Sequence, residues 1–85
     1  MLKFKNLQKL KDKLRLRGLH GEWQTHTYRA KGTEWTKHVL YLETAVISWW
    51  ESTKTVCVQE LSGGNAEAIK QIVRELCQKE RRRRR

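Results

Sequence analysis

Between Phe4 and Arg17 the leucines Leu7, Leu10 and Leu14 recur at intervals of three and four residues, the spacing that lines apolar side chains along one side of a helix. Lys3, Lys5, Lys9, Lys11, Lys13, Arg15 and Arg17 surround them, and Gly18 is a natural stop. The pattern predicts a short, strongly basic amphipathic helix within residues 1–18. From Glu22 to Glu60 the period changes. "EWQTHTYRA" and "WTKHVLYLETAVISWWES" are rich in Thr, Val, Ile, Tyr and Trp, with a turn signal around Gly32 between them and a break at Glu43 and Thr44. Three or four antiparallel strands account for this region. The corner "ESTKT" closes a hairpin in which Ser52 and Thr53 suit a type I turn and Lys54 takes the left-handed position of a three-residue loop. Its side chain is expected to point off the hairpin tip, within reach of a phosphate.

A second helical stripe closes the chain. Asn65 is a suitable N-cap, Ala66, Ile69, Ile72, Val73 and Leu76 share one side, and Glu67, Lys70, Gln71, Arg74 and Glu75 face out. Beyond Cys77, "QKERRRRR" offers no apolar residue to anchor it, so a disordered tail is expected over residues 79–85. The predicted architecture is therefore α+β: a basic N-terminal helix over 1–18, then one domain over 19–78 with a three- to four-stranded antiparallel sheet and a C-terminal helix packed on one face.

Length and charge narrow the function. Eighty-five residues make a single domain, and a chain of this size buries only about 60 to 65% of the surface its unfolded form exposes, so dimerisation would help it. Nineteen Lys and Arg against nine Asp and Glu give a net charge of +10, which attracts phosphate polymers. The charge is segregated. Residues 1–18 carry a net +6, residues 19–62 a net −1 and residues 63–85 a net +5. A nearly neutral body between two basic ends suggests electrostatic arms rather than a uniformly basic globule.

Other classes fit poorly. The apolar runs are too short to cross a bilayer, the first 20 residues have no apolar core of a secretory signal, and an intracellular protein, cytoplasmic or nuclear, is the expectation. Cys57 and Cys77 have no metal-site or disulfide spacing and read as buried reduced thiols. His20, His26 and His38 sit in no catalytic motif, and "SGGN" lacks the lysine and spacing of a phosphate-binding loop. No catalytic residue, metal ligand or cofactor is assigned.

Trp49, Trp50, Glu51, Ser52, Thr53, Lys54, Thr55 and Val56, then Val58 and Gln59, followed by a capped helix, form a recognisable series. It resembles small nucleic-acid-binding domains related to the TATA-binding-protein fold, such as the one at the N-terminus of ribonuclease HIII, over the hairpin and C-terminal helix only. The resemblance implies a curved antiparallel sheet backed by helices that holds a nucleic-acid duplex. Two positions depart from the family pattern, Lys54 and Glu60, where glycine is usual.

The residues alone point the same way. Trp23, Tyr28, Trp35, Tyr41, Trp49 and Trp50 fall in the strands, and rings on a sheet can stack on bases. Trp49 and Trp50, being adjacent, must face opposite sides; which one faces outward depends on register. The expected function is non-catalytic binding of RNA or DNA, duplexes included. Phosphate contacts are assigned to Lys5, Lys9, Lys11, Lys13, Arg15 and Arg17 of the first helix, to Arg29, Lys31, Lys37 and Lys54 of the sheet, and to Arg81, Arg82 and Arg83 of the tail, with Trp35 and Trp50 as base contacts. The alternative is a small inhibitor or interaction module, of viral or mobile-element kind, that occupies a protein partner's nucleic-acid channel. A homodimer is a further candidate assembly.

Overall fold

The computed structural model describes residues 2–61 and 65–82, with only the helical backbone described at Arg81 and Arg82. In chain order the elements are β1 (Leu2–Lys3), α1 (Leu7–Leu16), β2 (Glu22–Ala30), β3 (Thr33–Tyr41), β4 (Ala45–Trp50), β5 (Thr55–Glu60) and α2 (Glu67–Arg82). The strands form one antiparallel sheet in the order β1-β5-β4-β3-β2. Strands β2 to β5 are a meander, and β1 returns to pair Leu2 with Val56 and Lys3 with Thr55. The fold is α+β as expected, with one strand more than the sequence indicated. A two-residue strand has no periodicity to read, and Lys3 and Phe4 blended into the helical pattern that follows them.

Local signals set the boundaries. α1 starts at Leu7 rather than Phe4 because the Asn6 side chain accepts a hydrogen bond from the Lys9 amide at 3.1 Å. It stops where Gly18 takes φ of +85°, with the Gly18 amide donating to the Arg15 carbonyl at 3.0 Å and the Leu19 amide to Leu14 at 3.0 Å, the paired bonds of a Schellman ending. Lys31 and Gly32, at φ +51° and +79°, make the two-residue turn whose twist suits a hairpin, and Ala30 pairs directly with Thr33. At the β4–β5 hairpin Trp50 pairs with Thr55, so the loop has four residues rather than the three expected; Lys54 is nevertheless left-handed, φ +61°, as anticipated. α2 begins with Asn65 accepting from the Glu67 amide at 3.1 Å and with Glu60 accepting from the Ala66 amide at 3.0 Å. It runs on to Arg82, into the segment expected to be a tail. Arginine is a good helix former, and positive charge at a helix C-terminus is favourable.

Both helices pack on one side of the sheet. Phe4, Leu10 and Leu14 meet Val73, Leu76 and Cys77 over Leu40, Ile47, Trp49 and Val56 in one core. The register then decides every side. Leu40 lies opposite Ile47 and Trp23, and Trp49 lies opposite His38 and Val56, so Trp23, His38, Leu40, Ile47, Trp49 and Val56 all face the helices. Tyr28, Trp35, Lys37, Val39, Tyr41, Ser48, Trp50 and Cys57 face the other way. Core burial ends part-way along the β2–β3 hairpin: Thr25, Thr27, Arg29 and Glu34, all on the helix side by register, are exposed. The hairpin therefore reaches past the helices.

Candidate nucleic-acid interface

The side of the sheet without helices carries a ring cluster. The Lys31–Gly32 turn places Tyr28 opposite Trp35, and the β3–β4 register places Lys37 opposite Trp50. Tyr28 and Trp35 are stacked, with centroids 6.3 Å apart and planes 28° from parallel; Tyr28 and Trp50 lie 6.0 Å apart, tilted by 32°. The Lys37 ammonium sits between them, 5.5 Å from the Tyr28 ring and 5.2 Å from the Trp50 ring, close enough for cation–π attraction to both. Among the described residues no carboxylate pairs with Lys37. Tyr28 is 39% exposed and Tyr41, farther along β3, is 42% exposed, with its hydroxyl 3.3 Å from His26 Nε2. Val39, between Lys37 and Tyr41, is only 2% exposed although no helix covers it. Neighbouring side chains of the open side therefore close over it.

The neighbouring tryptophan has the opposite role. Trp49 is 3% exposed, and its indole N–H donates to the Phe4 carbonyl at 2.7 Å. That bond ties β4 to the segment leading into α1, and it satisfies the one polar atom a buried indole brings into a core. His38 lies 5.7 Å from the Trp49 ring on the same side and bridges Thr25 Oγ1 at 3.1 Å and Glu51 Oε2 at 3.3 Å. Trp23 is half-buried at the margin of the core, with the Lys11 ammonium 5.2 Å from its ring. Lys11, Arg15, Gln8, Leu19, His20, Gly21 and Trp23 line a half-open cleft of about 180 Å³ on this side.

The sequence-predicted contacts thus divide between two sides. Trp35, Lys37 and Trp50 come together on the helix-free side. Lys5, Lys9, Lys11, Lys13, Arg15 and Arg17 belong to α1 or the residues flanking it on the opposite side, because burying Leu10 and Leu14 against the sheet carries the whole helix to that side. Arg17 is bonded across to Glu75 of α2 at 3.2 Å, and the hydrogen bond from Gln71, together with that from Arg17, holds the Glu75 carboxyl below its ordinary range. Arg29 is paired with Glu34 at 2.7 Å on the helix side. Lys54 does not project from the hairpin tip: its ammonium folds back to 5.1 Å from the Trp49 ring, where the indole's negative face attracts it. Lys31 stands at the β2–β3 turn. Arg81 and Arg82 continue the α2 backbone, and Arg83 lies outside the described residues. Of the cysteines, Cys77 is buried as expected whereas Cys57 is exposed on the helix-free side, since its strand alternates and no helix covers that row.

Tyr28 was missing from the predicted contacts, although the sequence held the signal: a two-residue turn at Lys31–Gly32 leaves Tyr28 and Trp35 equidistant from it and so on one side. Among the described residues no three His, Cys, Asp or Glu side chains gather to hold a metal, and no helix is long and apolar enough to cross a membrane. Comparison with known proteins returns no matching family model, no similar curated protein and no similar solved structure.

Proposed function

We propose that the protein binds an unpaired segment of RNA or DNA across the helix-free side of its sheet, without catalysis and inside the cell, where such ligands are found. The supporting observation is the cluster of Tyr28, Trp35 and Trp50 around Lys37. Bases that are already unstacked can lie on such rings irrespective of sequence, each stacked base contributing about 1–3 kcal/mol, while paired bases in a duplex expose only edges and backbone. Lys37 stands beside the rings, where the phosphate linking two stacked nucleotides would meet a cation. Most of the remaining charge, on the far side, raises the general attraction for polyanions and the rate of encounter. It does not touch the same stretch of strand.

The test is a binding panel of single strands, duplex DNA, duplex RNA and hybrid against the wild-type chain and against Trp35→Ala, Trp50→Ala and Lys37→Gln variants. Single strands should bind best. The ring variants should weaken them by roughly tenfold or more, and Lys37→Gln should lower the salt slope by about one. Equal affinity of all variants for every ligand would reject the proposal.

A protein partner is the second reading, because the ring side is poor in charge: Lys37 and, at the β1 edge, Lys3 are the lysines that the register places there. Exposed aromatics serve protein contacts as readily as bases. Co-purification of a protein with the wild-type chain but not with the Trp50→Ala variant, together with weak binding to every nucleic acid, would favour it.

A further inference from the structure

The two edges of the sheet are unlike. β1 is two residues long, the usual protection for an edge, whereas β2 is nine residues with only β3 beside it. An edge strand presents every second N–H and C=O to whatever approaches, and proteins blunt this with proline, bulges, short strands or rows of lysine. β2 has none of these. It contains no proline, pairs with β3 without a bulge from Glu22 to Ala30, and its only charged residues are Glu22 and Arg29. Its outer half also lacks cover on the helix side, where Thr25, Thr27 and Arg29 are exposed. A two-stranded arm with little packing is marginally stable by itself.

We infer that β2 pairs antiparallel with β2 of a second copy of this chain, around a two-fold axis through His26, to make one continuous sheet. The charges choose the direction. Antiparallel pairing keeps like charges apart, setting Glu22 of each copy against Ala30 of the other and Arg29 against Trp23, whereas parallel pairing would set Glu22 beside Glu22 and Arg29 beside Arg29 on the same side. A two-fold axis perpendicular to the sheet keeps the sides in step, because residues opposite one another then share parity: Thr25 faces Thr27 of the second copy, and Gln24 faces Tyr28. Such an interface is closed and ends at two copies. Both ring clusters end on the same side of the joined sheet. The inference does not depend on what those rings bind.

Light scattering coupled to gel filtration gives the mass directly. The wild-type chain should elute as a dimer that dissociates on dilution. T25K/T27K places lysines directly opposite lysines across the axis, which is destabilising, and should weaken dimerisation about tenfold or more while circular dichroism shows the fold retained. T25E/T27E should behave likewise. Mixing the lysine and glutamate variants should restore the dimer as a heterodimer, which excludes misfolding as the cause. A wild-type monomer at the highest attainable concentration overturns the inference, as does a T25K/T27K chain that dimerises as well as wild type, the latter placing the interface elsewhere. Mass restored only by adding another protein would also overturn it.

Discussion

Trp49 and Trp50 are neighbours in the chain with opposite surroundings. Trp49 fills the core and donates to the Phe4 carbonyl; Trp50 lies against Tyr28 and Lys37 on the open side. Trp49→Ala should therefore cost about 3–5 kcal/mol of stability, read from the denaturant midpoint, with Trp50→Ala costing much less and acting on ligand binding. The alternation of a strand makes it certain from sequence that the two differ, but not which is which. That depends on the β3–β4 and β4–β5 registers, which are set by contacts between distant residues. The cysteines supply a second test. Burial, reinforced by the charge of Glu80, pushes the Cys77 thiol up to about 11. A thiol raised in the folded state contributes its full stability below the unfolded value and loses it as pH rises through the folded one. Unfolding free energy should therefore fall between about pH 9 and pH 11, and a Cys77→Ala variant, whatever its baseline, should fall less over the same interval. A thiol-reactive dye should label Cys57 in the native protein and Cys77 only on unfolding.

At the scale of elements, the two helices and the two tight turns were legible because each is written locally: leucines at helical spacing, an Asn cap, Gly at a left-handed position. The short β1 was not, since its place beside β5 is fixed by Val56 and Thr55, more than fifty residues away in the chain. One glycine has a role that no local pattern reveals. A Cβ at Gly21 would collide with the Tyr41 carbonyl and crowd Leu40, so the entry to β2 passes closer to the end of β3 than any other residue would allow. Gly21→Ala should cost about 1–3 kcal/mol, and amide exchange should quicken first at Glu22 and Trp23, next to the point of contact. Uniform quickening over α2 instead would mean that the close approach is not what holds this end of the hairpin.

For the molecule as a whole, the sequence showed how much charge there is and in which segments, but not on which side of the sheet those segments lie. A basic helix and an aromatic sheet suggest one combined surface until the helix's leucines are placed. Once Leu10 and Leu14 are buried on the inner side, the lysines of α1 and the rings must be on opposite sides. The division has a measurable consequence. A strand confined to the ring side and reaching the Lys31–Gly32 turn meets about three cations, Lys3, Lys37 and Lys31, and log K should fall with log salt at a slope near −2. A strand that also wrapped α1 would give about −5 to −6. Neutralising Lys9 and Lys13 together should accordingly slow association while leaving the slope almost unchanged.

The four tryptophan indole N–H signals provide the most direct measurement, because each reports from a known place. In a nitrogen-15 correlation spectrum titrated with a short single strand, the Trp35 and Trp50 signals should move progressively and saturate together, while the Trp49 signal, locked to the Phe4 carbonyl, and the Trp23 signal beneath Lys11 stay where they are. Movement of Trp23 and the α1 amides with Trp35 and Trp50 unchanged would put the ligand on the helix side and contradict the account.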